Sequence, residues 1–163
     1  MTVLEATAAM TTEVDYGYPD PETAATATAR GQFNGVVFVD TAWEVQPVTT
    51  VLQLEQLAPG WDGHGAPPIR RGTGDLAISL VRQIGKVGAE NIPQPFVGPA
   101  GDGGITIEFQ VGQRELAFAA HGDGTLTYLK GGAGEPFDGG DLFFHPAIVR
   151  GLIAWLTSPV PPA

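Results

Sequence analysis

The chain predicts an α+β fold: a three- to four-stranded antiparallel meander with two or three helices packed on one face. Three observations carry that expectation. Ile105, Ile107, Phe109 and Val111 alternate with Thr106, Glu108 and Gln110, and Leu116, Phe118 and Ala120 alternate back after Gly112-Gln113, the period of half-buried hairpin strands. Leu76, Leu80 and Ile84 run beside Ala77 and Val81 in adjacent i, i+4 rows, an amphipathic helical stripe. Ile148, Val149, Leu152, Ile153 and Leu156 form another such stripe near the end of the chain. Strands grouped together, with helices before and after them, favour an antiparallel sheet covered on one side.

Taken in order, residues 1–31 are rich in Ala and Thr and lack an apolar period, so they read as a flexible acidic tail or a segment that orders on a partner. Residues 32–158 read as a single α+β domain. Val36-Val37-Phe38-Val39 is a run of β-formers, and Trp43 and Val45 extend it as one strand or two pieces until Pro47. Thr50 and Gln53 have capping-box spacing, with Val51, Leu54 and Leu57 on one face, which predicts about two turns of helix before Pro59. The second helix begins at Thr73 or Asp75; Arg82 and Lys86 fall near its C-terminus, where cations suit the helix dipole, and Gly88 suits the position after it. The meander follows, with a third strand at Leu126 and Tyr128 after the Gly122-Asp123-Gly124 reversal. Gly131 to Asp141 reads as a glycine-rich acidic loop. Pro146 stands where a first helical position belongs, Pro159 stops the helix, and residues 159–163 form a tail.

The 163 residues carry a formal charge of −10, from 8 basic and 18 acidic side chains. Arg30 is the one basic residue in the first 66 positions. Such a chain repels phosphate backbones, which bind by Lys and Arg neutralisation, so nucleic acid is disfavoured and a basic protein partner suits it better. Cysteine is absent, which removes thiolate nucleophiles, disulfides and cysteine-based zinc motifs. No secretory leader or membrane-length apolar run is visible, and the expected location is cytoplasmic.

The densest local signal is Pro59-Gly60-Trp61-Asp62-Gly63-His64-Gly65-Ala66-Pro67-Pro68. Gly and Pro impose backbone angles that regular elements do not use, so this stretch must be a specified loop. Trp61 reads either as a plug in the core between the second helix and the sheet or, with Asp62 and His64, as a recognition surface or small pocket. Tyr16 and Tyr18, beside acidic residues, are further binding candidates. His64, His121 and His145 each sit in or beside a predicted turn near an aspartate, without metal-ligand spacing. The Asp-Gly runs lack the alternating ligands and terminal acid of a calcium loop, and turn chemistry accounts for them. Ser79 and Ser158, the two serines, lie outside any nucleophile elbow. Glu108 and Glu115, on facing strands, read as a carboxylate pair or as solvent-facing positions. No metal or cofactor is expected.

From Leu57 to Leu156 the chain resembles a widespread group of small uncharacterised bacterial proteins. The likeness rests on Pro59-Gly60-Trp61-Asp62-Gly63 with Gly65-Ala66-Pro67, Pro95-Phe96 and Pro99, and Asp102-Gly103-Gly104 leading into Ile107-Glu108-Phe109. His121-Gly122-Asp123-Gly124 before Tyr128 and the Leu152–Leu156 helix complete it. His64 replaces an expected aromatic such as Tyr, and Phe109 an expected Trp. The resemblance implies an architecture and no mechanism. The leading functional expectation is a non-catalytic, acidic protein-interaction module of accessory, inhibitor or immunity type. The alternatives are a small hydrolase-like enzyme around Trp61, Asp62 and His64, and a structural subunit of a larger bacterial or phage assembly.

Overall fold

Alternation sends Ile105, Ile107 and Phe109 to one side of a strand and Thr106, Glu108 and Gln110 to the other, and the computed structural model builds the centre of a sheet from that pattern. It describes residues 29–33, 36–40, 42–88, 90–132, 134–143 and 145–159. Element order is β1 (Ala29–Phe33), β2 (Val36–Asp40), α1 (Ala42–Leu54), α2 (Arg71–Gly88), β3 (Phe96–Pro99), β4 (Ile105–Val111), β5 (Arg114–Ala120), β6 (Leu126–Gly132), β7 (Glu135–Asp141) and α3 (Pro146–Thr157). β1 and β2 pair as a separate two-stranded antiparallel ribbon. β3 to β7 form a five-stranded antiparallel meander in sequential order. Among the described residues no helix is long and apolar enough to cross a membrane.

The α+β class and the one-sided helical cover match the expectation; the strand count does not. The meander has five strands because β3 and β7 flank the three that alternate. β7, Glu-Pro-Phe-Asp-Gly-Gly-Asp, is exposed throughout, so no buried face writes a period into it. Pro and Gly, which argue against a central strand, are tolerated at an edge. Strand β3 is four residues long and ends in Gly98-Pro99.

Trp43 and Val45, expected on a strand, and Pro47, expected to end it, lie inside α1 instead. Proline has no N–H to give the carbonyl four residues back, so the ring of Pro47 leaves the Trp43 carbonyl without its usual helical donor. Gln94 Nε2 donates to that carbonyl at 3.0 Å. Thr49 and Thr50 donate their hydroxyls to Val45 O and Gln46 O instead of capping a later helix. Two antiparallel helices, α1 and α2, then pack along a glycine seam. A Cβ on Gly85 would strike the Glu44 carboxylate, and one on Gly74 the Glu55 carboxylate. Desolvation, together with nearby Asp75, raises the Glu55 pKa above its ordinary value against the opposing pull of Arg71.

The core lies between the helices and one sheet face. Ile105, Ile107, Leu116 and Phe118 from the sheet meet Val51, Leu80, Val81, Ile84, Val149 and Leu156 from the helices, all fully buried. Each such side chain contributes roughly 1.5–3 kcal/mol by leaving water. Trp43 stacks nearly parallel on Phe109 at 6.3 Å, and Phe118 meets Phe109 edge-on. Arg114 faces the same side and is buried. Its Nη1 donates to Trp155 O at 2.6 Å and Ser158 O at 2.8 Å, and its Nη2 to Glu135 Oε1 at 3.0 Å. A cation on the last carbonyls of a helix suits the dipole there, so Arg114 ties the end of α3 to β5. Trp155 Nε1 donates to the other oxygen of Glu135, and the Lys130 ammonium lies 5.1 Å from the Trp155 ring centre.

Candidate functional site

Strand register dictates what the opposite, outer face displays. Phe96 opposes Glu108, Glu108 opposes Ala117, and Ala117 opposes Leu129, so these four residues form one row across β3 to β6. The adjacent row holds Gln110, Glu115 and Gly131. Phe137 of β7 rests its ring over Gly131. No helix covers this face among the described residues, and Phe96, Leu129 and Phe137 remain 66%, 48% and 62% exposed. Between them lies a groove of about 500 Å³ lined by Gln94, Phe96, Glu108, Glu115, Leu129 and Phe137 among others.

Two carboxylates therefore stand in a depression whose other lining side chains are apolar apart from Gln94 and Gln110. Glu115 is the diagonal neighbour of Glu108, since Gln110 opposes Glu115 and Glu108 opposes Ala117. Diagonal neighbours on adjacent strands lie about 7–8 Å apart, within joint reach of one long side chain. Neither glutamate has an ion-pair partner among the described residues. The cations nearest in register, Arg114 and Lys130, are on the inner face with Glu135, Asp138 and Trp155. The pair was visible in the alternation; the aromatic walls around it were not, because Phe96 and Phe137 belong to strands without a readable period.

The loop singled out by sequence uses its carboxylate on itself. Asp62 Oδ1 accepts from His64 N at 2.8 Å and Ala66 N at 2.9 Å, and those two bonds, Ala66 first, hold its carboxyl below the ordinary value. Gly60 donates to Ala66 O at 2.8 Å, and Gly60, Gly63 and Gly65 take φ of 74°, 74° and 89°, a region that costs other residues strain. The His64 side chain is exposed, whereas Trp61 is half-buried and stands outside the core cluster, where Trp43 and Trp155 pack instead. Trp61, Asp62 and His64 are thus close through chain connectivity, with the Asp62 carboxylate bonded to loop backbone. Tyr16 and Tyr18 lie outside the described residues.

The structure makes a side-chain cluster that sequence spacing concealed. His121 Nδ1 lies 2.9 Å from Asp102 Oδ2, and its Nε2 lies 2.8 Å from Thr127 Oγ1. Asp102 also accepts from Gly104 N at 2.9 Å. Partial burial opposes ionisation of Asp102, but the bonds from His121 and Gly104 outweigh it and lower its pKa. This carboxylate–imidazole–hydroxyl order is that of an acid–base relay. It also clasps the β3–β4 loop to the β5–β6 turn, and none of its members lines the groove. Only the fold brings Asp102 to His121, which is why turn position alone accounted for that histidine. His145 caps α3, its Nδ1 accepting from Ala147 N. Among the described residues no three His, Asp or Glu side chains gather as a metal site.

No family model, curated protein or solved structure matches the chain, so the functional reading stands on this geometry.

Proposed function

We propose that this is a non-catalytic protein-interaction module that binds its partner through the outer face of the five-stranded sheet. The observation that carries the reading is the uncovered groove bounded by Phe96, Leu129 and Phe137. Exposed apolar surface gathered into one depression and rimmed by polar groups is how docking sites differ from scattered surface hydrophobes. The net charge of −10 adds long-range attraction for a basic partner. An accessory, inhibitor or immunity-type role fits such a module. The test compares partners captured from native lysate by the wild-type chain, by a Phe96→Ser/Phe137→Ser variant and by Leu52→Ser, which alters an exposed leucine of α1. A partner held by the wild type and Leu52→Ser but lost from the groove variant supports the reading; equal recovery by all three refutes it.

One observation favours a second reading, hydrolysis. With Asp102 accepting from His121 Nδ1–H, His121 Nε2 takes the Thr127 hydroxyl proton as Thr127 Oγ bonds to an ester carbonyl carbon. The ester C–O bond breaks, the alcohol leaves with that proton, and water, deprotonated by His121, then hydrolyses the acyl-threonine and restores the hydroxyl. This moves the expected hydrolase site away from Trp61, Asp62 and His64. Turnover of an activated ester that disappears in both His121→Ala and Thr127→Val would favour hydrolysis; identical rates in the wild type and both variants would remove it.

A further inference from the structure

The charge and shape of the groove specify what covers it. We infer that the outer sheet face receives a basic amphipathic helix of a protein partner, its apolar stripe on Phe96, Leu129 and Phe137 and a lysine or arginine between Glu108 and Glu115. The inference rests on the docking reading above and adds the partner's chemistry. A sheet face, unlike a sheet edge, is covered by another layer, and a helix with one apolar stripe is such a layer. The row from Phe96 to Leu129 crosses three inter-strand spacings, about 14 Å, which matches the rise of about ten helical residues, enough for an i, i+4, i+7 stripe. Ala117, at the middle of that row, leaves room for the helix to approach.

Charge complementarity selects the occupant. Among the described residues no cation lies beside Glu108 or Glu115, and an apolar partner without a cation would leave both carboxylates partly desolvated and unpaired, a costly state. A guanidinium or ammonium on a flexible stem can meet both while its methylenes lie against the phenyl rings. The same charge argues against the two other occupants at hand. Residues 1–28 carry Glu5, Glu13, Asp15, Asp20 and Glu22 and no basic side chain. A second copy placed face to face about a two-fold axis would set the same glutamates against each other.

The test titrates the full chain with fluorescent peptides of about 14 residues, long enough to span the row: a helical Leu/Lys amphipath, the same pattern in Leu/Glu, and the same pattern in Ser/Lys. Expected is binding of Leu/Lys alone, abolished by Phe96→Ser/Phe137→Ser and weakened about tenfold by Glu108→Gln/Glu115→Gln, a change of about 1.4 kcal/mol. Circular dichroism checks that each variant keeps its fold. Leu/Glu binding as tightly as Leu/Lys, yet still lost in the Phe variant, overturns the basic partner and leaves the docking face standing. Ser/Lys binding as tightly as Leu/Lys, with no loss in the Phe variant, reduces the effect to net charge and overturns the groove inference. Failure of all three peptides overturns the helix, and the lysate comparison then decides the docking reading separately.

Discussion

Phe118 and Phe137 are the same side chain on opposite faces of one sheet: the first is fully buried beneath the helices, the second is 62% exposed. What separates them is the cover, since α1, α2 and α3 share one side of the meander. The inner face meets apolar side chains from all three helices, and its buried cation, Arg114, is held by helix carbonyls and Glu135. The outer face leaves two glutamates without a partner among the described residues and three apolar side chains in water. The inner face answers its buried guanidinium with carbonyls and a carboxylate, although Arg114 Nε and Trp43 Nε1 stay without a partner; the outer face sets its two exposed glutamates among apolar side chains. The comparison teaches that Phe96, Leu129 and Phe137, on the side the described residues leave uncovered, are apolar without serving the core.

The largest effect that could break this contrast is truncation on either face. Phe118→Ala should cost about 3–5 kcal/mol, a buried-aromatic deletion, while Phe137→Ala should fall within about 0.5 kcal/mol of wild type, as ordinary surface changes do. Urea midpoints at unchanged slope measure both, and comparable losses would mean that the outer face is structural. Arg114→Met comes next. It removes donors to Trp155 O, Ser158 O and Glu135, and roughly 2–3 kcal/mol should be lost, as for charged hydrogen bonds left unmade. A melting curve indistinguishable from wild type would refute its role as the tie for α3.

Gly151 lies on the solvent side of α3, with nothing near an added Cβ, so Gly151→Ala should stabilise by about 0.5–1 kcal/mol; a loss of stability would reveal a contact on that helix surface. The last test is one of sign. Asp62, Asp102, Asp123 and Glu135 have lowered pKa values, from ordinary values of 3.8 for the aspartates and 4.5 for the glutamate. Their contribution is present above those ordinary values and is lost as pH falls through the lowered folded ones. Glu55 is shifted upward, so its contribution is present below 4.5 and is lost as pH rises through its raised folded value. Asp102→Asn should therefore flatten the acid limb of stability against pH. Glu55→Gln should raise stability near neutrality relative to acid pH. Unchanged profiles in both variants would contradict these assignments.

Much of the inner face was legible from residues alone. Alternation located β4, β5 and the start of β6, and helical spacing located α2 and α3 to within a few residues. Pro146 and Pro159 bracketed α3 because a missing N–H is harmless at a helix start and disruptive farther in. The same rule misplaced the first helix: Pro47 is accommodated inside α1 by a donor from Gln94, a residue far along the chain that no local pattern could supply. β7 escaped for the opposite reason, since a strand with no buried side has no period, and β3 because four residues with Val97 and Gly98 both buried are too short to show one. Asp62 was legible as part of a specified loop, but its use on the loop's own backbone was not.

The sequence by itself determined the α+β class, the sheet's three alternating strands, two of the helices and the acidic balance, because these follow from local period, turn chemistry and charge count. Only the tertiary structure decided that Phe96, Leu129 and Phe137 meet around Glu108 and Glu115, and that Asp102 meets His121 and Thr127. Those encounters depend on register between strands and on which face the helices choose, and both are set by long-range packing.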